Sequence, residues 1–579
     1  MSLWASVRRR RYPLDAGADR VRYEQWLVAR GDEVLLPERT LEVISSRVRP
    51  DSEGQPLFSI VVPVFRPPLW GLERCVTSVL SQPFDDFEFK LCDDCGGDGE
   101  VLALLRRCEA IDSRIEVIVS EHNEGIANAT NRALAASTGQ YIIFLDHDDE
   151  LAGDALEVIA AAIRDRPETD VLYSDSDKIS ADGRRFAPAF KPAWSPDLLC
   201  SGMYFGHVLV VRRALVEKVG GLRSSYDGSQ DHDLALRVTE IAGSVVHIPR
   251  ILYHWRSGTG SAATDPLAKP WAREAGRSAV AEALLRRGEQ ATVEQDPRSI
   301  GRYHCSRHLA SGTVVTIAPI LRAPASPAGI GRVVRDWEGR SRDLVATAGM
   351  AVNLGDVILE EGDWALSWAS RASAALRAAR TDLVVLIDPL LLPLSRQWAR
   401  ELVVLADRPG VGATGGCVVE GSHIVGAGLV AGLGGLVGPV LAGLPALRPG
   451  YQAMAIVQRE VSALGAECIL VRRDAAAILE KLPLSLSAEL AVAALCFTLR
   501  RNGERVLYEP AARFKLPKFH RQTPPRQLGH SMQLSEVEWF RSEFASELAE
   551  ADPYYHPALC LDDPYCRLGS AGVELPLFR

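Results

Sequence analysis

Between Phe58 and Val119 short apolar runs alternate with amphipathic stretches: Phe58 to Val62, a helical stretch around Leu72 to Ser81, Phe87 to Leu91, a helix near Val101 to Cys108, then Ile115 to Val119. Strands separated by helices in this way predict βαβ units and a parallel sheet. Ala127 to Ser137 reads as another helix, and Tyr141-Ile142-Ile143-Phe144-Leu145 as a strand buried on both faces. That strand runs directly into Asp146-His147-Asp148-Asp149-Glu150. The acids therefore fall at a carboxyl strand end, the edge where open α/β sheets bind ligands. Acids one residue apart suit a hard divalent cation and, with it, phosphate.

The same alternation continues through Pro249 and His254 to a helix ending near Arg287. Residues 1–55 are charged and weakly periodic, an appendage with Tyr23 and Trp26 as candidate anchors. The second half carries a worn copy of the first. Thr381 to Asp388 mirrors Gly139 to Asp146, and Cys468 to Arg473 mirrors Val208 to Arg213, 260 positions earlier. Leu499-Arg500 follows Leu236-Arg237 by 263 positions, and Glu509-Pro510 follows Ile248-Pro249 by 261. On these offsets Asp148 falls opposite Leu390, Asp231 opposite Ala494, Asp233 opposite Cys496 and His254 near Lys515. The expected organisation is an appendage (1–55), a first α/β domain (56–300), a degenerate copy without metal or base residues (301–525) and a C-terminal tail (526–579).

Length supports this division, since 579 residues exceed what one hydrophobic core accommodates. A net charge of -9, with no basic run beyond Arg8 to Arg11, argues against nucleic acid as a partner. The arginine cluster reads as a solvated tail or as a contact for an anionic membrane surface. No apolar segment follows it, so a cytoplasmic protein is expected, with peripheral contact at the inner membrane face as the alternative. Eleven scattered cysteines suit reduced core thiols, and the lone Cys92/Cys95 pair lacks the further ligands of a zinc site. Ile424 to Leu447 is uncharged and long enough to span a bilayer, yet its seven glycines with Pro439 and Pro445 point to short strands and turns.

Five motifs in order carry a resemblance: Ser59-Ile60-Val61-Val62-Pro63-Val64-Phe65, Asp93-Asp94, Asn123-Glu124-Gly125-Ile126 through Asn131, Asp146-His147-Asp148, and Gln230-Asp231-His232-Asp233. Together they resemble family 2 glycosyltransferases of the GT-A fold, of the kind that builds bacterial surface polysaccharides. Tyr173-Ser174-Asp175 to Lys178 and Lys191-Pro192 to Pro196 resemble features of O-antigen-building members. The resemblance implies a Rossmann-like, mostly parallel sheet, followed here by the degenerate GT-A-like copy. It further implies a UDP- or dTDP-sugar donor, a lipid-linked or oligosaccharide acceptor, and inversion at the anomeric carbon. Donor contacts would come from Pro63, Phe65, Asp93, Asp94, Asn123, Gly125, Asn131, Asp146 and Asp148.

Residue chemistry assigns the remaining roles. Asp148, with Asp146 and His254 of Tyr253-His254-Trp255-Arg256, would hold Mn2+ or Mg2+, the imidazole leaning toward manganese. Asp231 begins a helical run whose free N–H groups keep a carboxylate ionised, making it the expected base. The family usually has Glu-Asp there, and Gln230 replaces the first acid. Asp233 reads either as a chemical acid or as a helix-start acid, and Arg237 and Arg256 as phosphate ligands or salt-bridge partners. Asp175, Asp177, Gln230 and Trp255 are candidate acceptor contacts. Two other readings compete. A nucleotidyltransferase would carry a Gly-rich loop after the first strand, which Pro63 to Pro68 lacks, and a non-catalytic scaffold would have both domains worn.

Overall fold

The computed structural model describes residues 14–37, 41, 55–257, 270–322, 337, 339–354, 367–517, 533–573 and 575–578. Arg8 to Arg11 lie outside the described residues. The first sheet comprises β1 (Phe58–Val64), β2 (Phe87–Asp93), β3 (Ile115–Val119), β4 (Tyr141–Phe144), β5 (Glu150–Leu151), β6 (Val171–Ile179), β7 (Arg185–Ala189), β8 (Leu209–Arg212) and β9 (Val245–Arg256). Their order is β3-β2-β1-β4-β8-β6-β9-β5, with β7 against β6. The side from β3 to β4 is parallel, as the βαβ pattern predicts, with helices Leu69–Leu80, Gly99–Ile111 and Ile126–Ala135 between its strands. Beyond β4 the sheet is mixed, because β8 inserts antiparallel between β4 and β6.

A hairpin, β10 (Ala291–Gln295) and β11 (Tyr303–Arg307), leads to the second half. There β12 (Val314–Pro319), β13 (Ala351–Leu354), β14 (Leu383–Ile387), β15 (Leu392–Pro393), β16 (Val411–Glu420) and β17 (His423–Gly426) are followed by a small pair, β18 (Leu429–Ala431) and β19 (Val437–Pro439). β20 (Arg459–Glu460), β21 (Cys468–Arg472) and β22 (Arg505–Leu516) complete the second sheet, ordered β13-β12-β14-β21-β16-β22-β15. Set beside β2-β1-β4-β8-β6-β9-β5, every neighbour matches in position and direction, including antiparallel β14/β21 for β4/β8 and parallel β16/β22 for β6/β9. Register agrees too: Tyr141 pairs with Arg212 as Leu383 pairs with Arg472, so the 260-residue repeat in sequence is a repeat in structure. Ile424 to Leu447 forms β17 to β19 and their turns, and no helix of the described residues is long and apolar enough to cross a membrane.

One apolar cluster runs from Val61, Tyr173 and Leu236 to Leu386, Val471 and Leu495, so the halves share a core. Charge joins them as well. Asp197, 2% exposed, receives Arg307 from the hairpin and Arg408 and Arg505 from the second half, Arg505 at 2.7 Å. Both chain ends fasten to the first half. Tyr23 and Trp26 on the Arg20–Arg30 helix are buried, the Tyr23 hydroxyl donating to Asp177 Oδ2 at 2.6 Å and Trp26 meeting Phe190 edge-on. The tail places His556 on the Phe190 ring and its Nε2 2.7 Å from Asp175 Oδ2.

Asp175 is wholly buried between His556 and His247, the latter at 2.9 Å. Against the opposing effect of burial, those two rings hold its carboxyl far below the ordinary carboxylate range. A depressed folded value means stability that is present above the unfolded pKa and lost as pH falls through the folded one. His556→Ala is therefore expected to lower the unfolding free energy at pH 7 by about 3 kcal/mol, the usual scale for breaking a buried ion pair. Urea melts should show the gap from the parent closing on acidification below the ordinary aspartate range. A pH-independent gap would mean that ring packing alone was lost.

Candidate active site

The turn after β2 is built by one carboxylate. Asp94, 3% exposed, accepts the N–H groups of Glu124 at 2.8 Å and Gly125 at 2.9 Å. Gly125 has φ +87°, and a Cβ there would stand 2.7 Å from Asp227 Oδ2, so glycine alone fits the start of the Ile126–Ala135 helix. Asn131 on that helix bonds both the N–H (2.9 Å) and the carbonyl (2.8 Å) of Leu222, while Asn123 reaches the Asp94 carbonyl at 3.4 Å. Asp94, Gly125 and Asn131 thus shape the loops around the site, whereas Phe65 is exposed and Pro63 lines the chamber described below. Asp93 accepts Gly96 N–H at 3.3 Å.

Of the acids after β4, two turn inward. Asp149 is fully buried and accepts from the Tyr253 hydroxyl (2.5 Å) and Arg256 N–H (2.6 Å); burial, then the Asp146 and Asp148 charges, push its carboxyl well above the ordinary range. Glu150 is held by Arg74 at 2.7 Å and by Arg256. Asp146 and Asp148 remain, with Asp148 raised first by its own burial and further by Asp146, against His147. His207, just ahead of β8, stacks on the Tyr253 ring at 4.8 Å and brings its Nε2 to 3.5 Å from Asp146 Oδ2. Two donors of one divalent cation stand about this far apart.

Helix Gln230–Thr239 carries Asp231 and Asp233 in its first turn. Asp233 is fully buried and clamped by Arg237 at 2.6 Å and by Arg223, which fixes the helix start and removes this acid from chemistry. Gln230 folds back to accept Gly228 N–H at 2.8 Å. Asp231 lines a small chamber with Pro63, Asp146, His207 and Gln230, and also faces a cavity of about 910 Å³ on whose wall Trp255 and Tyr451 stand.

Three expected positions come out differently. Strand side chains alternate between faces, so Tyr253 and Trp255 face the cavity while His254 points to the other side. There its Nδ1 meets Asp177 Oδ1 at 2.6 Å, and its ring lines a different cavity, with Trp26 and Pro249. It does not join Asp146. Asp177, 1% exposed, is filled by His254, Arg185 (2.7 Å) and Tyr23, and Asp175 by the two histidines, leaving neither carboxylate for an acceptor. Lys191, also buried, points its Nζ at the carbonyls of Ser174, Phe205 and His207, and burial pulls it down to about 7. It thereby fixes the His207 loop.

The copy shows why His207 matters. The 260-residue offset sets His207 opposite Glu467, and Asp146 lies opposite Asp388. Helix Ala488–Arg501 is four residues longer than Gln230–Thr239, so the match at its end does not hold at its start. Glu489, second in its helix as Asp231 is in its own, takes the Asp231 place, and the expected Ala494 does not. These three acids converge on Arg322, at 2.9 Å from Asp388, 2.8 Å from Glu467 and 3.5 Å from Glu489. The copied site has therefore kept acids but closed them with an internal cation. The offset was the available signal for His207, since it picks out the position but not its chemistry.

Residues 59–218 match the family described as Glycosyl transferase family 2. The uncharacterized protein y4gI of Sinorhizobium fredii (strain NBRC 101917 / NGR234) is 31% identical over 557 residues, covering 90% of this chain and 59% of its own length. O-antigen biosynthesis protein RfbC of Myxococcus xanthus is 42% identical over 239 residues, 41% of this chain and 19% of RfbC. The chain thus spans about three-fifths of the first relative and less of the second. Among solved structures, S. aureus TarS 1-349 aligns at 20% identity and TM-score 0.32 over 39% of this chain and 65% of its own. Residues 59–218 of the first half are thus similar to glycosyltransferase family 2 domains, and the second half is a sheet of the same plan.

Arg322→Ala would leave Asp388, Glu467 and Glu489 facing one another. We expect a loss of about 3 kcal/mol in urea unfolding at pH 7, partly recovered by millimolar manganese. A variant as stable as the parent would show that the three acids do not depend on Arg322.

Proposed function

We propose that the protein is an inverting glycosyltransferase that moves a sugar from a nucleoside-diphosphate sugar, UDP- or dTDP-linked, to a hydroxyl of a lipid-linked or growing bacterial surface glycan on the cytoplasmic side. The observation that carries this is the position of Asp231: it borders the chamber of Asp146 and His207 on one side and the large acceptor-sized cavity on the other. The similarity to RfbC, an O-antigen biosynthesis protein, supports the product class.

In this reading the donor lies over the carboxyl edge of β1, β2 and β4. Pro63, Phe65 and Asp93 border the nucleoside, and Asp94 with Gly125 keeps the neighbouring turn in shape. Asp146, Asp148 and His207 would hold Mn2+ or Mg2+, which when bound supplies Lewis-acid stabilisation to the departing diphosphate. Asp231 accepts the acceptor hydroxyl's proton as the oxygen attacks the anomeric carbon. Its place in the first turn, among unpaired N–H groups, favours the ionised carboxylate that this needs. Attack from the cavity side, opposite the diphosphate, inverts the anomeric carbon. Ser229 steadies the base by donating to the Ala272 carbonyl at 2.7 Å, and the clamped Asp233 keeps the helix from turning.

The purified chain, offered UDP-, dTDP- and GDP-sugars with manganese, is expected to release nucleoside diphosphate, and faster with candidate acceptors. Asp231→Asn should lower transfer at least about 100-fold while nucleotide binding and melting temperature hold. Asp233→Asn should instead lower the melting temperature. Transfer by Asp231→Asn at the parent rate would remove it as the base.

Metal dependence separates the two histidines. Chelation is expected to abolish turnover, and Asp148→Ala and His207→Ala to raise the manganese concentration for half-maximal rate at least about tenfold, the scale of losing one ligand or its support. His254→Ala should keep the parent's manganese requirement. The opposite ranking of the two histidines would return His254 to the metal site.

A further inference from the structure

The cavity in front of Asp231 is unevenly charged. Lys178, Lys191, Arg273, Arg298 and Arg302 line it, against the carboxylates of Asp15, Asp177 and Asp231. Three of the five cations, and Asp177, are already engaged. Asp177 holds Arg185 and His254, Arg298 sits on Asp296 at 2.5 Å, and Lys191 bonds backbone carbonyls. Lys178 lies over the Trp255 ring at 5.2 Å. Arg273 and Arg302 are left. Among the described residues neither guanidinium has a carboxylate at ion-pair distance. The Arg273 Nε is buried with no hydrogen-bond partner, and burial lowers Arg302 from its ordinary value with only the Tyr303 hydroxyl working against it.

The two arginines and the base belong to one locality. Tyr303 on β11 donates its hydroxyl to the Arg273 carbonyl at 3.1 Å; burial and then the Asp231 charge push that hydroxyl up to about 12, with Arg302 and Arg273 acting in the other direction. Arg302 is backed by Gly202, where a Cβ would stand 2.7 Å from its Nη1. Both arginines line the large cavity and neither lines the chamber of Asp146 and His207. The large cavity meets that chamber at His207 and Asp231, which line both, so the two arginines lie beyond the base, away from Asp146. Both arginines are half-buried; a guanidinium partly withdrawn from water favours an anionic partner, and its planar fork matches a phosphate or carboxylate oxygen pair.

We propose that the acceptor carries an anionic group, a phosphate or a carboxylate, close to its reacting hydroxyl, and that Arg302 and Arg273 hold this group while the hydroxyl meets Asp231. The proposal rests on the transferase reading given above. Trp255 and Tyr451, on the same wall, offer faces for the sugar ring.

The test uses the full chain with UDP and manganese at saturation, so that the donor side is filled. Calorimetry compares two matched pairs: methyl glucoside with methyl glucuronide for a carboxylate, and N-acetylglucosamine with its phenoxyundecyl diphosphate ester for a phosphate. One acidic member is expected to bind at least about tenfold tighter than its neutral partner, the scale of one hydrogen bond to a charged group. Which pair shows the gap identifies the source of the charge. Arg302→Gln and Arg273→Gln should each remove most of that preference, Arg302→Lys should keep part of it, and UDP affinity should stay at the parent value in all three.

Equal binding of acidic and neutral members, no binding by any of the four, or a preference that survives in the Arg302→Gln/Arg273→Gln double variant would overturn the proposal. Comparison of the pairs on the parent chain decides the matter even if a variant fails to fold. Failure of the transferase reading looks different, since the parent would then neither bind UDP nor turn over any sugar nucleotide.

Discussion

Negative charge gathered at the carboxyl edge of a sheet must be balanced, and the two halves of this chain balance it differently. Carboxylates a few ångströms apart in a partly dry site repel by several kcal/mol unless a proton or a cation stands between them. In the second half the cation is covalent. Arg322, three residues past Pro319, reaches Asp388, Glu467 and Glu489 together. In the first half the strand register sets the exposed Phe65 opposite Arg322, and its neighbour Arg66 turns away to the Gly96 carbonyl at 3.0 Å. The matching positions there, Asp146, His207 and Asp231, stay open to the cavity system. One backbone plan thus yields an edge closed by an internal cation or an edge left open, according to whether that position carries an arginine or a phenylalanine.

Keeping that edge open requires the surrounding charges to be closed. Asp149, Glu150, Asp175, Asp177, Asp197 and Asp233 are all buried and all paired. Each fixes a neighbour of the site: Asp149 the Tyr253 ring beneath His207, Asp233 the helix under Asp231, Asp197 the joint between the halves. The N-terminal helix and the tail supply Tyr23 and His556 to this shell. Buried pairs add little net stability over an apolar core, but they punish displacement strongly. That asymmetry suits a frame whose task is to hold a few exposed groups still.

Much of this was legible in the chain. Alternating apolar runs gave the βαβ half, and offsets near 260 gave the repeat, because strand register is set by the same apolar spacing that the offsets measure. Asp146 and Asp231 fall just past a strand end and at a helix start, where the apolar spacing predicts such boundaries. His254 was misplaced because its neighbours in sequence, Tyr253 and Trp255, do face the cavity, and alternation along β9 turns the residue between them away. Asp175 and Asp177, expected as acceptor contacts, lie inside β6; their partners come from Tyr23, His247 and His556, which sequence distance conceals. His207 stood alone, without a motif around it. The copy's glutamate was hidden by a helix grown by one turn, which shifts its start while leaving its end in register.

The second half also lines the cavity in front of Asp231. Arg302 comes from the β10–β11 hairpin that joins the halves, and residues Gly450 to Gln452 of the second half form part of the cavity wall. A sheet edge sealed by its own arginine needs no ligand for charge balance, so the second half presents a fixed surface. Asp197 locks that surface to the first half through arginines on both sides of the seam. Between these walls Arg273 and Arg302 have no carboxylate at ion-pair distance among the described residues, and they line the same cavity as Asp231. The large cavity is therefore lined partly by the seam between the repeats, while the small chamber of Asp146 and His207 belongs to the first repeat alone.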